Sequence, residues 1–103
     1  MHVVANSKLV SFYKNPSYRD AEPALKAWYE EARRARWITP ADIKARYANA
    51  SFIANNRVIF NIKGNDYRLI VSVAYKMQYV FIKFVGTHQQ YDAIDAATVD
   101  QFN

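Results

Sequence analysis

Apolar residues recur with one period in the first half of the chain and with another in the second. Leu25, Trp28, Tyr29, Ala32 and Ala35 fall at i, i+3, i+4, i+7 and i+10, the stripe of an amphipathic helix. This spacing predicts a helix over residues 21–36. Its polar face carries Lys26, Glu30, Arg33, Arg34 and Arg36, with the cations gathered near the C-terminal end, where they suit the helix dipole. Upstream, HVVA at residues 2–5 reads as a short strand. Ser7 can then cap a short helix with Leu9, Phe12 and Tyr13 on one face, ended by Pro16, which pushes the residue before it out of the α region. In TPADIKARY, Thr39 and Asp42 have the spacing of an N-terminal cap, and Pro40 sits at the favoured first position, so a third helix spans residues 40–47.

From residue 57 the period becomes two. Val58, Phe60 and Ile62 share one face of a strand, and Gly64-Asn65 is a hairpin turn signal. Tyr67, Leu69, Val71, Val73 and Tyr75 share a face of the next strand, a turn falls near Lys76-Met77, and QYVFIKFVG is a third strand. Residues 88–96 read as helical. The order β-α-α-(short α)-β-β-β-α predicts an α+β fold, an antiparallel meander with helices mostly on one face. With two Gly, three Pro, no repeat and no linker in 103 residues, the chain is expected to be a single domain, 1–103.

Register brings distant residues together. A two-residue loop at Gly64-Asn65 pairs Lys63 with Asp66 and sets Asn61 across from Arg68. The following hairpin sets Arg68 across from Val85 or Gly86, and that one-residue difference decides the face. Under either register Lys63, Arg68, His88 and Tyr91 collect at one end of the sheet. Arg68 can grip a phosphate with a bidentate fork and offset charge that builds on it. An imidazole such as His88 can take up and return a proton near neutral pH. On a helix, His88 and Tyr91 stand i, i+3 on one face. The set suits RNA cleavage by attack of a 2′-hydroxyl on its own phosphate, without a metal, since the chain has two His, no Cys and no ligand-spaced acids. No cofactor is expected. The same residues admit a structural account: Arg68 pairing with Asp66 or Asp92, His88 in a helix capped by Thr87, Tyr91 in the core. Trp28 reads as core. Trp37 could stack on a base, but covering the sheet suits it better.

Charge narrows the partners. Fourteen Lys and Arg against nine acids give +5 and a pI near 9.6, which favours nucleic acid or an acidic protein. No basic leader precedes a long apolar run and no segment is long enough to span a bilayer, so no membrane role and a cytoplasmic location are expected. The lack of Cys fits a reducing compartment.

RARWITPADIKARYANASFI, NNRVIFNIKGNDYRLIVSVAY and FIKFVGTHQQYDAID together resemble the HigB toxins of type II toxin–antitoxin modules, members of the RelE-like endoribonuclease superfamily. The resemblance runs from about Lys8 to Ala96, and FNIKGNDYRL and VGTHQQYD are its specific segments. It implies a small RelE-like domain: a curved antiparallel sheet, two N-terminal helices packed on one face and a short C-terminal helix. It implies cleavage of mRNA in the ribosomal A site, which stops translation, and a HigA-like helix-turn-helix antitoxin as partner. By position, Arg68, His88 and Tyr91 fall on the proposed catalytic motif. Lys63, Arg57, Arg33 and Arg34 are the looser candidates for RNA contact. RelE relatives often rely on Lys and Arg where this chain has a histidine, and Ala48 stands where the family often has Pro. The alternative from another class is a non-catalytic basic module that binds RNA or protein.

Overall fold

The structure is a computed structural model that describes residues 1–102. In chain order it has β1 (His2–Val4), α1 (Asn6–Lys14), a 3-10 turn (Pro16–Ala21), α2 (Glu22–Arg34), α3 (Pro40–Arg46), β2 (Ser51–Ile53), β3 (Arg57–Ile62), β4 (Tyr67–Ala74), β5 (Tyr79–Thr87) and α4 (His88–Asp92). The expected helices and long strands are present, but α1 starts from Ala5 with no side-chain cap, so Ser7 lies inside the helix and does not cap it. At the start of α3 the Asp42 carboxylate accepts from the Ile38 and Thr39 N–H groups, as the spacing requires. No helix among the described residues is long and apolar enough to cross a membrane.

The sheet has five strands in the order β1-β5-β4-β3-β2. It is mixed, because β1 joins the meander parallel to β5, with His2 opposite Tyr79. β2 extends the other edge, across a turn in which Asn55 and Asn56 are both left-handed (φ 66° and 55°). The β3–β4 register is the expected one, Asn61 opposite Arg68. The left-handed residues of that loop are Lys63 and Gly64 (φ 53° and 64°), one position earlier than the turn signal indicates.

The β4–β5 pair contains a bulge. Ile70 faces Phe84 but Val71 faces Ile82, so Lys83 is the extra residue and Arg68 ends opposite Gly86 rather than Val85. The insertion also switches faces. Val80 and Ile82 belong to the helix-side core, Phe84 to the cluster beneath the sheet, and Val85 to the helix side again.

On the helix side, Leu9 and Tyr13 of α1, Leu25, Trp28 and Ala32 of α2 and Ile43 of α3 pack on Val58, Phe60, Leu69, Val71, Val80 and Ile82. Each large side chain fully removed from water contributes about 1.5–3 kcal/mol. Trp28 and Trp37 both lie against Phe60, with ring centroids at 5.5 and 6.4 Å, so Trp37 covers the sheet. On the opposite side, Ile59, Ile70 and Phe84 form a smaller cluster under Tyr91, Ile94, Ala96 and Val99. α4 is shorter than the expected 88–96. Beyond it the Asp95 side chain accepts from Ala97 N–H at 3.0 Å, an Asx turn that competes with helix and lays the tail along the sheet.

Candidate active site

The last strand and α4 are joined so that His88 is the first helical residue. Thr87 is the N-cap: its Oγ1 accepts from Gln90 N–H at 3.1 Å, and Gln90 Oε1 accepts from Thr87 N–H at 2.9 Å. Thr87 does the capping, so the His88 side chain is free of that task. Gly86 leaves room beneath this cap. A Cβ there would lie 2.6 Å from the Phe84 ring and 2.8 Å from Gln90 Oε1. His88 N–H donates to Asp66 O at 3.0 Å, tying the start of α4 to the 63–66 loop.

His88 Nδ1 lies 3.2 Å from Asp92 Oδ2, one helical turn on. With the proton on Nδ1, facing the carboxylate, Nε2 carries the lone pair and is the basic atom. Asp92 is thus engaged with His88 rather than with Arg68. The Arg68 guanidinium instead donates through Nη1 to Asn65 O at 2.9 Å and Tyr67 O at 3.3 Å, and its Cζ sits 5.7 Å from the centre of the Tyr91 ring. Tyr91 rests on the lower cluster with its ring beside this cation. A cation over an aromatic face is attracted by the ring quadrupole, which fixes both groups.

On the helix-side flank a second group of polar residues gathers. Lys63 Nζ donates to Asp20 Oδ2 at 3.0 Å and to Asp66 Oδ2 at 3.3 Å. The Tyr67 hydroxyl donates to Asp20 Oδ1. The Tyr67 hydroxyl, then Lys63, hold the Asp20 carboxyl below its usual range. Asp20 and Asp66 raise Lys63. Burial, then Asp20, push the Tyr67 phenol up to about 12. Asp20, Asp66, Tyr67, Thr87 and His88 line one open cleft of about 330 Å³.

The sequence-predicted residues therefore fall into two neighbouring sets at the end of β5: Arg68 with Tyr91, and His88 with Lys63, which bonds the Asp20 and Asp66 side chains of the His88 cleft. α4 carries a member of each. Three residues stand elsewhere. Arg57 is only 8% exposed and donates through Nη1 to Ala96 O at 3.0 Å and Val99 O at 2.7 Å, so its guanidinium holds the tail instead of facing a ligand. Arg33 and Arg34 share Glu30, at 2.9 and 3.5 Å, and close the far end of α2. The Met1 amine donates to Ala35 O at that end, and β1 there begins beside Tyr79, the start of β5. That places them at the opposite end of the sheet, roughly 25 Å along the strand from His88. Sequence reasoning missed Asp20, Tyr67 and Gln90 as neighbours of the site. Asp92 was readable as i+4 from His88; Asp20 had no local signal at all.

A family model described as HigB toxin, the RelE-like toxic component of a toxin–antitoxin system, matches residues 21–94. The chain belongs to the HigB toxin family. The matched segment holds α2, α3, β2 to β5 and the whole of α4, and so contains Lys63, Arg68, His88, Tyr91 and Asp92. No curated protein matches the chain. Membership makes this HigB-family protein the toxin of a toxin–antitoxin system and implies an antitoxin partner.

Proposed function

We propose that this toxin is a ribosome-dependent endoribonuclease that cleaves mRNA without a metal, by attack of a 2′-hydroxyl on the adjacent phosphate. The observation that best supports it is the junction of β5 and α4. There His88, oriented by Asp92, lines a cleft, while Tyr91, three residues on, lies beside the Arg68 guanidinium. Two protons move in such a cleavage. His88 Nε2 takes the proton of the 2′-hydroxyl as the O2′–P bond forms. The Tyr91 hydroxyl supplies a proton to O5′ as the P–O5′ bond breaks. The products are a 2′,3′-cyclic phosphate and a free 5′-hydroxyl. Arg68, beside Tyr91 on the other flank of α4, offsets the charge on the phosphorane, so the reacting phosphate straddles the start of α4 with His88 on one side and Arg68 and Tyr91 on the other. Lys63 adds a phosphate contact. The basic end of α2, with Arg33 and Arg34, offers a separate surface to ribosomal RNA. The partner is a HigA-like helix-turn-helix antitoxin, and the place of action is the cytoplasm, where ribosomes translate.

The test is to incubate the protein with translating ribosomes and map mRNA ends. New ends bearing 2′,3′-cyclic phosphate are expected, with none from Arg68→Ala and none from a message carrying a 2′-deoxy residue at the cleaved position. Ribosome binding without new ends would replace this reading with a non-catalytic binding module.

A further inference from the structure

Asp20 sits where an external anion would sit. Its Oδ1 accepts from the Tyr67 hydroxyl and its Oδ2 accepts from Lys63 Nζ at 3.0 Å. Two donors spaced to grip both oxygens of one carboxylate can also grip the two non-bridging oxygens of a phosphodiester. The hydroxyl donor and the acceptor are held very differently, while the Lys63 side chain is itself 44% exposed. Tyr67 is buried, and its ring meets Phe12 and Tyr18 edge-on at 5.7 and 6.4 Å. Lys63 is set by a loop whose end is pinned to α4 through the Asp66 carbonyl. The Asp20 side chain, by contrast, is 55% exposed and comes from the 3-10 turn. The turn is anchored nearby through Tyr18, which stacks on Phe12 at 4.5 Å and accepts from Gln90 Nε2 at 2.9 Å, so the Asp20 side chain can swing out while the turn stays in place. The exposed pair with Lys63 is weak, and an incoming phosphate oxygen replaces the acceptor that the Tyr67 hydroxyl loses, so the exchange costs little.

We propose that Lys63 and Tyr67 form a seat for an RNA phosphate, and that Asp20 fills this seat in the free protein and must be displaced when RNA binds. Tyr67 and Asp20 line the cleft that His88 lines, and Lys63 reaches Asp20 from beside it, so a phosphate held by the Tyr67 hydroxyl is presented to the α4 end of the sheet. A phosphodiester carries one negative charge, as the carboxylate does, so Lys63 exchanges one anion for another. The displaced Asp20 stays close and repels the newcomer. It acts as an internal competitor that lowers affinity without touching the reacting atoms. The identity of the ligand rests on the endoribonuclease reading; the exchange itself does not require cleavage.

The experiment measures binding, with no turnover. A short single-stranded RNA made uncleavable by 2′-O-methyl groups is titrated into the full chain and followed by fluorescence anisotropy, with inorganic phosphate as a second probe. Asp20→Asn keeps the shape and removes the charge, and is expected to bind the RNA about fivefold more tightly. Tyr67→Phe, which keeps the ring packing, is expected to bind about fivefold more weakly. In a Lys63→Met, Tyr67→Phe background, Asp20→Asn should bring no gain. Asp20→Asn binding RNA equally or more weakly would overturn the proposal, since Asp20 would then be supporting the donors rather than competing for them. A gain seen with inorganic phosphate but absent with RNA would overturn the RNA assignment. Absence of mRNA cleavage on ribosomes, with the fivefold gain intact, would remove the nuclease and leave the seat.

Discussion

On the helix side of the sheet, Leu9, Leu25, Trp28 and Ile43 meet Phe60, Leu69, Val71 and Ile82, every one of them 2% exposed or less. On the other side, Ile59, Ile70 and Phe84 are covered by only partly buried residues of α4 and the tail, and polar groups do much of the fastening. Arg57 grips two tail carbonyls, Lys83 Nζ lies 3.3 Å from Asp100, and Gln101 bonds the backbone of both Lys83 and Val85. The first face is held by area and the second by a few specific bonds. The candidate catalytic residues Arg68 and Tyr91 lie on the second. Removing a single side chain should therefore act globally on one face and locally on the other.

The largest effect is expected from Phe60→Ala on the helix side. It should cost about 3–5 kcal/mol in urea unfolding and lower protection from hydrogen exchange everywhere. Arg57→Ala on the tail side should cost about 2 kcal/mol, since it strands two carbonyls that now accept from a charged donor. Its signature should be rapid exchange confined to residues 93–101, with α2 unchanged. Equal loss of protection on both faces would erase the distinction. Gly86→Ala comes next, at about 1–2 kcal/mol, because Phe84 or the capping Gln90 must give way. Its activity loss should exceed what this destabilisation explains, since the displaced cap is the one that sets His88.

The smallest effect is a pH dependence. The folded state lowers the Asp20 pKa, so this contribution is present above the unfolded value of 3.8 and is lost as pH falls through the lowered folded value. The folded state raises Tyr67 from 10.0 to about 12, so its contribution is complete below pH 10 and is lost as pH rises toward 12. The stability difference between wild type and Asp20→Asn, followed by thermal unfolding, should therefore shrink toward zero in acid.

The same contrast governs how much could be read from the sequence. The helix-side face follows from periods of 3.6 and two, because each of its residues repeats within its own element. Val58, Phe60 and Ile62 share that face as their alternation requires. The bulge at Lys83 carries no such mark. It is one residue inserted between the apolar YVFI and FV, where residues of both faces are apolar and alternation gives no register, and it alone decides that Arg68 faces Gly86. Arg57 looked like a surface cation because the tail that buries it is forty positions away. The parallel seat of β1 and the approach of Asp20 to Tyr67 are likewise long-range. β2 was too short for periodicity, although Asn55-Asn56 is a turn signal beside it. At the site, Arg68, His88 and Tyr91 were legible as residues converging on one sheet end, and that convergence holds. The division of the candidates between two flanks of α4 was not.

The most direct measurement is growth arrest and mRNA cleavage by His88→Ala, read together with its unfolding midpoint. His88 is half-exposed and is not the cap, so stability should change by under about 0.5 kcal/mol. Cleavage should fall by roughly a hundredfold or more, and cells expressing the variant should grow. A folded His88→Ala protein that cleaves mRNA and arrests growth at full strength would contradict the account.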